Sequence, residues 1–344
     1  MKKYLLPENG NFYKANLHCH TTVSDGKLTP EQVKEEYIKK GYSVIAYTDH
    51  DIMIPHDELD SENFLALHGY EMEMPDRTTE LAKARKTCHI CLIATDPENL
   101  KQVCWHREKY LFGHAPEYKH LVKFDESLPD FERSYTTECV NEIIKTAKKN
   151  GFFVTYNHPS WSLENFDIVS QYEGMDAMEI CNYSSYTAGY PEYNPKMYED
   201  LLRVGKRIYC IGADDNHNGR PVGDPKCDSF GAWTVIKAEK LEYKAITDAL
   251  LAGNFYASQG PEIKALWIED GKLCVETSPC ERISMLTGTR KLRASFRQKG
   301  KKLTRAEFPV EADDIFVRVN VMDKQGKCAD SNAYFCDEIF KEEN

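Results

Sequence analysis

The chain has 344 residues, of which 41% are hydrophobic and 29% charged, and it carries a formal net charge of −11 with a pI near 5.6. A chain of this length can bury a proper core, and its acidic balance argues against broad nucleic-acid binding, which needs a basic surface. No apolar run approaches the ~20 residues of a membrane-spanning helix, and the N-terminal sequence MKKYLLPENG does not have the pattern of a signal peptide.

Seven apolar segments predict strands. Most of them are apolar on both faces, as expected for strands that are covered on both sides. In chain order they are Ala15–Leu17, Ser43–Tyr47, Phe64–Tyr70, Thr87–Ala94, Gly151–Tyr156, Met175–Ile180 and Arg207–Gly212.

Helical patterns lie between several of these segments. The clearest begins with Thr29 as N-cap, Pro30 at the first helical position and Gln32 at the capping-box position, and it runs to Gly41. Further helices are predicted over about 135–149, 195–204 and 241–251. Alternating strands and helices predict an α/β fold with a parallel sheet or barrel, in which chemistry gathers at the carboxyl ends of the strands.

Histidines and carboxylates stand at or just past the ends of most of these strands. His18 and His20 are two residues apart on an extended segment, so both imidazoles lie on one face, about 6.5–7 Å apart along the backbone, and can close on one metal ion. By the same alternation Asp215 and His217 can converge, whereas Asp214 points away. Asp49, which precedes His50, should likewise face elsewhere and play a structural part.

The cysteines offer no comparable metal site. Cys88 and Cys91 have C-x-x-C spacing, but residues three apart on a strand point to opposite faces. None of the twelve cysteines forms a convincing zinc-finger pattern. Reduced thiols and a cytoplasmic location are the economical interpretation for a chain of this length.

The polar motifs occur in a distinctive order along about residues 14–260. They are His18-Cys19-His20, Ser24-Asp25-Gly26, Thr48-Asp49-His50-Asp51, Gly69-Tyr70-Glu71, the strand residue His89, Asn157-His158-Pro159 and Gly212-Ala213-Asp214-Asp215-Asn216-His217. Together they resemble the PHP (polymerase and histidinol phosphatase) family of metal-dependent phosphoesterases. The resemblance implies a distorted (β/α)7 barrel that holds up to three metal ions.

The resemblance also implies three ligand sets, two of which share Glu71 as a bridge. These sets are His18, His20, Glu71 and Asp215 for one ion, Glu71, His89 and His158 for a second, and Asp25, His50 and His217 for a third. Imidazole and carboxylate ligands suit zinc, manganese and iron. Two to three such divalent ions would make the pocket cationic, which suits a phosphate dianion better than a neutral amide.

We therefore expect a hydrolase that cleaves small phosphomonoesters with a hydroxide held between two ions ~3.5–4 Å apart. The residues expected at the catalytic centre are Glu71, His18, His20 and Asp215. Arg220 and Lys226, which follow His217, are candidates to hold phosphate, although ordinary solvated loop charges are at least as good an interpretation.

Three alternatives stay open at this stage. They are a nuclease acting on oligonucleotide ends, a non-catalytic metal-binding scaffold, and a metal-dependent amidohydrolase. The amidohydrolases also begin with His-x-His, but they typically end with a lone Asp instead of the Asp-x-His of Asp215 and His217.

We predict two domains. Residues 1–260 form the phosphoesterase barrel, with an insertion at about 74–134, and residues 261–344 form a small β-rich, sandwich-like accessory domain. The second part contains no histidine and therefore no obvious metal site. Its one basic stretch, between Arg282 and Arg305, is expected to be an exposed hairpin with Gly300 near the turn, and contact with a polyanion is the alternative. The oligomeric state is open.

Overall fold

The computed structural model describes residues 2–341. Its strands are β1 (Lys2–Tyr4), β2 (Asn11–Asn16), β3 (Val44–Tyr47), β4 (Leu65–Pro75), β5 (Thr87–Ala94), β6 (Phe152–Tyr156), β7 (Ala177–Asn182), β8 (Tyr209–Ala213), β9 (Trp233–Ala238), β10 (Phe255–Ser258), β11 (Ile263–Glu269), β12 (Lys272–Cys280), β13 (Arg282–Thr287), β14 (Arg293–Phe296), β15 (Leu303–Pro309), β16 (Phe316–Met322), β17 (Cys328–Ser331) and β18 (Tyr334–Phe335). Its α-helices are α1 (Pro30–Lys39), α2 (Ala115–Tyr118), α3 (Thr137–Lys149), α4 (Phe166–Val169), α5 (Tyr183–Thr187), α6 (Pro195–Arg203), α7 (Tyr243–Leu251) and α8 (Cys336–Ile339).

The seven predicted strands correspond to β2–β8, and the four predicted helices correspond to α1, α3, α6 and α7. At the start of α1 the Gln32 amide donates to Thr29 Oγ1 at 3.3 Å, and the Thr29 amide donates to Gln32 Oε1 at 2.9 Å. The predicted capping box is therefore confirmed, and it satisfies amide groups that the first helical turn leaves without partners.

A large mixed sheet carries the strand order β14-β13-β16-β17-β10-β9-β2-β3-β4-β5-β6-β7-β8. Strands β2–β4 are parallel and strands β6–β8 are parallel, as predicted, but β5 runs antiparallel to both of its neighbours. The reason is the connection over 76–86, which joins β4 to β5 without a crossing helix. Because β5 is reversed, His89 near its amino end lies at the carboxyl edge of β4 and β6.

The sheet curls but is not closed, so the predicted (β/α)7 barrel is not confirmed. Strand β9 pairs antiparallel with β2 along the edge that β8 would need for closure. Strand β8 instead approaches β9, where Thr234 Oγ1 donates to the Gly212 carbonyl at 2.9 Å. Gly212 permits this approach, since a Cβ there would lie 2.8 Å from the Trp233 oxygen.

The curled part of the sheet encloses one apolar cluster beneath the edge that carries the histidines. Buried side chains from each strand of β2–β9 meet there, among them Ala15, Ala46, Leu67, Ile93, Phe153, Ala177, Ile211 and Ile236. A second cluster fills the space between the outer face of the sheet and helices α3, α4 and α6. Both faces of these strands are therefore buried, which explains their nearly continuous apolar sequences.

The C-terminal part is β-rich. Strands β1, β11, β12 and β15 form a separate antiparallel sheet, which packs through Leu266 and Val275 against Ile283 and Val319 of β13 and β16. The two predicted domains share strand pairing, because β17 pairs with β10 and the N-terminal β1 pairs with β11. Their division at residue 260 stays a prediction.

The predicted hairpin around Gly300 is wrong. Strand β14 pairs with β13 and strand β15 pairs with β12, so the turn at Gly300 joins two sheets. Within residues 2–341 no helix has the length and apolar composition needed to cross a bilayer. The twelve cysteines are all buried, free thiols.

Candidate metal centre

A cavity of about 370 Å³ opens at the carboxyl edge of the curled sheet. The polar side chains around it come from seven separate strands or strand ends, β2 to β8, so the topology rather than local sequence brings them together. Its lining residues are Asp25, His50, Asp51, Glu71, Glu73, Phe112, His89, His158, Trp161, Ser184, Ser185, Ala188, Asp215 and His217.

The first predicted ligand set converges beside this cavity, where Glu71 and Asp215 belong to the lining and His18 and His20 are fully buried next to them. His18 Nε2 lies 3.2 Å from Glu71 Oε1 and 3.3 Å from Asp215 Oδ1. His20 Nε2 lies 3.1 Å from Asp215 Oδ1 and 3.4 Å from Glu71 Oε2. The two ring nitrogens are 3.1 Å apart, so all four side chains present donor atoms to one small volume.

Glu71 lies at the centre of the second set as well. Its Oε1 atom is 3.0 Å from His89 Nδ1 and 3.3 Å from His158 Nε2. Asn157 Nδ2 donates to the same oxygen at 2.9 Å, while Oε2 lies 3.1 Å from His50 Nδ1. A carboxylate surrounded on both oxygens by imidazoles has the position expected of a bridging ligand.

The third set is looser and includes one residue that the prediction placed elsewhere. His217 Nε2 is 3.4 Å from Asp25 Oδ2, and His50 Nε2 is 4.0 Å from Asp25 Oδ1. The ring of His20 stands between those of His50 and His217, with centroids 4.3 Å from each. Donor atoms of these four residues all lie within 4.8 Å of one another, so His20 could serve either of two ions.

Within residues 2–341, three buried side-chain atoms of this site that could bind a metal ion have no hydrogen-bond partner. They are His20 Nδ1, His89 Nε2 and Asp215 Oδ1. A buried polar atom without a partner loses about 1–3 kcal/mol of solvation, so such atoms are rare unless a ligand satisfies them. Their position supports a metal-binding role for the cluster.

Glu179 of β7 supports the ligands and was not found from the sequence. Its Oε1 atom lies 2.8 Å from His18 Nδ1, and its Oε2 accepts from the His158 amide and from Asn182 Nδ2, both at 2.9 Å. This contact fixes the His18 ring so that Nε2 faces the cavity. A buried carboxylate inside the apolar segment AMEICN was the available signal, because such a charge requires partners.

Cys91 also reaches the site, although the sequence analysis assigned it no role. Its thiol accepts a hydrogen bond from Asn157 Nδ2 at 3.1 Å. Its sulfur also lies within 4.8 Å of possible metal-binding atoms of His18 and Glu71. Burial raises the pKa of this thiol to about 11, so it is protonated at neutral pH in the metal-free protein.

A buried ion pair borders the cavity. Arg133 Nη1 donates to Asp51 Oδ1, and both side chains are nearly inaccessible. The Asp51 amide in turn donates to the Glu71 carbonyl oxygen at 2.7 Å. Burial raises the pKa of Asp51 to about 6 even though Arg133 acts in the opposite direction. The pair links the end of the predicted insertion to Glu71.

The two carboxylates predicted to face away do so. Asp214 accepts from the amides of Phe230, Gly231 and Ala232 at 2.8–3.1 Å, on the side opposite the cavity. Asp49 accepts from the amides and hydroxyls of Thr21 and Ser24 and so orders the turn that carries Asp25.

The predicted phosphate-binding residues are not brought into the cavity. Arg220 and Lys226 are exposed on the loop after His217, and neither contributes to the lining. Their role in substrate binding stays a prediction without support from the geometry. Among the residues that the structure describes, no Lys or Arg lines the cavity.

The carboxylates govern the protonation of the buried imidazoles. Burial lowers the pKa of both His20 and His89, but neighbouring carboxylates, including Glu71, outweigh it and raise each value to about 10. Burial and the adjacent His20 lower the pKa of His50 to about 3. Burial acts to raise the pKa of Glu71, yet the imidazoles hold it well below its usual range. Positive charge is thus favoured at the centre of the site.

Comparison with known proteins gives structural likenesses only. No family model matches the chain, and no curated protein matches it. A two-domain protein from Bacteroides vulgatus, described as containing a predicted PHP-like metal-dependent phosphoesterase, is 16% identical with a TM-score of 0.47, over 97% of both chains.

Two further solved structures are similar over smaller parts. A protein from Bifidobacterium adolescentis, inferred to be a metal-dependent phosphoesterase, is 19% identical with a TM-score of 0.38, over 65% of this chain and 94% of that one. An amidohydrolase from Chromobacterium violaceum, with bound sulfate and no metal, is 14% identical with a TM-score of 0.37, over 59% of this chain and 87% of that one. The function must therefore be inferred from the residues of the site.

Proposed function

We propose that the protein is a metal-dependent hydrolase of phosphoesters, and of small phosphomonoesters in particular. The observation that carries this proposal is the composition of the cavity, in which imidazoles and carboxylates converge and no Lys or Arg is present. Two to three divalent ions would be held by His18, His20, Asp25, His50, Glu71, His89, His158, Asp215 and His217.

The residues fit such ions. The mixed nitrogen and oxygen ligand atoms suit zinc, manganese or iron. Bound ions would also give partners to the buried atoms of His20, His89 and Asp215 that have no hydrogen bond. Bound ions would supply the positive charge that holds a phosphate dianion and would lower the pKa of a nucleophilic water toward neutrality.

The protein contributes position and charge balance. Glu179 orients His18, Asn157 orients Glu71, and the Asp51 amide fixes the backbone of Glu71. Among the described residues no Lys or Arg lines the cavity, and its cationic imidazoles face carboxylates, so the protein itself supplies little net positive charge for a phosphate. Phosphate binding should therefore require the ions, and the exposed residues Arg220 and Lys226 cannot replace them in their present positions.

Small substrates are favoured over polymers. The chain is acidic overall, which disfavours a long polyanion lying along its surface. Within residues 2–341 four cations of the basic stretch, Lys291, Arg293, Arg297 and Arg305, are held in ion pairs, such as Arg297 Nε with Glu281 at 2.6 Å and Arg293 with Glu311 at 2.8 Å. These pairs reduce the positive charge that the stretch can offer to a nucleic acid.

Metal analysis and a substrate panel test the proposal together. Protein purified without chelator should contain two to three equivalents of zinc, manganese or iron, and it should hydrolyse phosphomonoesters faster than a single-stranded oligonucleotide. Asp215→Asn is the negative control, and Lys299→Ala, far from the cavity, is the matched surface control. Absence of bound metal after reconstitution with each ion would refute the site, whereas faster oligonucleotide cleavage would favour a nuclease.

A further inference from the structure

A second cavity of about 740 Å³ adjoins the metal centre. Glu73 and Trp161 line both cavities and form the wall between them. The remaining lining of the second cavity, which we call the annex, consists of Pro75, Arg77, Ala82, Lys83, Arg85, Thr87, Leu163 and Tyr190.

The two cavities differ in charge. Among the described residues, five carboxylates and four imidazoles but no Lys or Arg line the metal centre, whereas three cationic side chains and one carboxylate line the annex. The cations are Arg77, Lys83 and Arg85, and the carboxylate is Glu73. Glu73 Oε1 faces His89 Nε2 at 3.7 Å, so its charge is directed toward the metal centre. An anion is therefore favoured in the annex by the protein itself.

The cationic residues of the annex have no competing carboxylate partner. Among residues 2–341 none of Arg77, Lys83 and Arg85 forms an ion pair, in contrast to the paired Arg293 and Arg297 of the C-terminal part. Arginine presents several N–H donors in a planar fork, which matches the oxygens of a phosphate. Free donors of this kind leave the annex ready to accept an anionic group.

The loop that carries these cations is internally ordered. The Asp76 amide donates to the Lys86 carbonyl at 2.8 Å and closes the base of the loop. The Asp76 carboxylate accepts from the Thr78 and Thr79 hydroxyls at 2.6 Å each. Arg85 Nε donates to the Thr79 carbonyl at 2.9 Å, which positions this guanidinium and leaves its terminal nitrogens free.

Trp161 provides a firm wall over which a substrate could extend. Its ring lies edge-on to His89 and His158, with centroids 5.2 and 5.0 Å away, and it is 40% exposed. Its amide donates to the buried Glu192 carboxylate at 2.8 Å, which holds the loop in place. A substrate that extends from one cavity into the other would therefore contact the ring of Trp161.

We propose that the annex binds a second phosphate group of the substrate, so that the preferred substrates are small bisphosphates with one phosphate at the metal centre and the other near Arg77, Lys83 and Arg85. This inference rests on the proposed phosphoesterase function of the metal centre. The annex sets specificity and takes no part in bond cleavage. The second phosphate leaves unchanged, and hydrolysis consumes one water and releases one inorganic phosphate.

A series of alkanediol phosphates tests this inference. Monophosphates and α,ω-bisphosphates of the same chain length, from propane-1,3-diol to octane-1,8-diol, differ only in the second phosphate. We expect the bisphosphate to have the higher kcat/KM, by about tenfold or more, over a limited range of lengths that matches the span between the cavities. Equal kcat/KM values for the two members of each pair would overturn the inference.

Substitutions in the annex locate the effect. Arg77→Gln with Lys83→Gln should remove most of the bisphosphate advantage, chiefly through KM, and should change monophosphate hydrolysis by less than about threefold. Arg85 is left intact because it also bonds to its own loop. The matched control, Arg290→Gln with Lys299→Gln, alters two exposed cations of the C-terminal part and should leave both substrates unaffected. A bisphosphate advantage that survives the annex variant would contradict the proposal.

Calorimetric binding separates this inference from the function on which it rests. Hexane-1,6-bisphosphonate, whose C–P bonds cannot be hydrolysed, should bind the metal-loaded protein more tightly than hexylphosphonate, and the annex variant should abolish the difference. If no phosphoester is hydrolysed but this difference in affinity is found, the hydrolase proposal is wrong and the proposal that the annex binds a phosphate group is supported. If monophosphates are hydrolysed but the two phosphonates bind with equal affinity, the hydrolase proposal is supported and the proposal for the annex is wrong.

Discussion

The Asp215 amide donates a hydrogen bond of 2.9 Å to the carbonyl oxygen of His18. The His20 amide donates in the same way to the Asn216 carbonyl at 3.1 Å, so the segments that follow β2 and β8 are joined at the site although those strands do not pair. Backbone contacts thus fix the positions of His18, His20 and Asp215. Side-chain substitutions there should affect metal binding more than the fold.

Asp215→Asn is expected to reduce the metal content, whereas Asp214→Asn is not. Asp215 presents its unpartnered Oδ1 to His18 and His20, and Asn would offer a weaker, neutral ligand. Elemental analysis after reconstitution should show a loss of at least one ion per chain in Asp215→Asn alone.

Asp214→Asn should instead lower the free energy of unfolding by about 1–3 kcal/mol, because an amide group would face backbone donors that a carboxylate accepts. Urea denaturation measures this loss. Metal depletion by Asp214→Asn with unchanged stability would contradict the assignment of these adjacent residues.

Glu71→Gln should reduce activity more than Asp25→Asn. Both oxygens of Glu71 lie within 3.4 Å of imidazoles from opposite sides of the site, whereas Asp25 approaches only the outer group of histidines. Removing the central charge should disturb two ions, and removing Asp25 should disturb one. Comparable kcat values for the two variants at saturating metal would argue against a bridging role for Glu71.

Much of the fold was predictable from local patterns. Segments such as Thr87–Ala94 are apolar on both faces, and Thr29, Pro30 and Gln32 mark the start of a helix. The reversed direction of β5 was not predictable, because strand direction depends on the route of the preceding loop. The open sheet was not predictable either, because closure depends on which strand pairs with the edge of β2. The predicted hairpin at Gly300 failed for a related reason: alternating strands do not specify which sheet each one joins.

The candidate site was predictable to a different extent. Alternation along extended segments separated Asp215 from Asp214 correctly, since that choice is local. The contributions of Glu179, the Asp51–Arg133 pair and the annex were missed, because each depends on contacts between distant segments. A buried charge inside an apolar strand, as at Glu179, was the one local signal available.

Metal binding should release protons at neutral pH. The pKa values of His20 and His89 are raised from 6.5 to about 10 in the metal-free protein, and an imidazole must be deprotonated to bind an ion. Titration of the chelator-treated protein with zinc at pH 7, in buffers of different ionisation enthalpy, should reveal release of at least two protons per chain at saturation, because the pKa of the further ligand His18 is also raised. Binding without proton release would show that these imidazoles are not ligands.

The same raised pKa values determine a dependence of stability on pH. Protonated His20 and His89 stabilise the metal-free protein fully below about pH 6.5, and this contribution is lost as the pH rises toward 10. The Tm of chelator-treated protein should therefore fall over this range, whereas the Tm of metal-loaded protein should fall less because the ions replace the protons. Parallel curves for the two forms would contradict this explanation.

Arg133→Met should destabilise the protein by about 3–5 kcal/mol, because it leaves the buried Asp51 carboxylate without its cation. The double variant Arg133→Met with Asp51→Asn should recover part of this loss. Activity is expected to fall in both, since the Asp51 amide holds the backbone of Glu71 at 2.7 Å. Equilibrium unfolding of the two variants decides the point, and an additive loss in the double variant would show that the pair is not coupled.

A chain truncated after Gly260 should not fold into a stable metal centre. Strand β10 would lose its partner β17, and Cys210 of β8 would lose the bond that its amide donates to Asn332 at 2.9 Å. The buried Arg318 also contacts Glu199 of α6 at 2.7 Å, so the C-terminal part supports the helix layer around the site as well as the sheet.

We expect the truncated chain to aggregate or to lose its metal, and Arg318→Met in the full chain to show a milder loss of stability. Circular dichroism, thermal unfolding and metal content measure these effects. A truncated chain that remains folded and fully metallated would establish the first 260 residues as an independent domain, and the shared strand pairing would then be dispensable for the site.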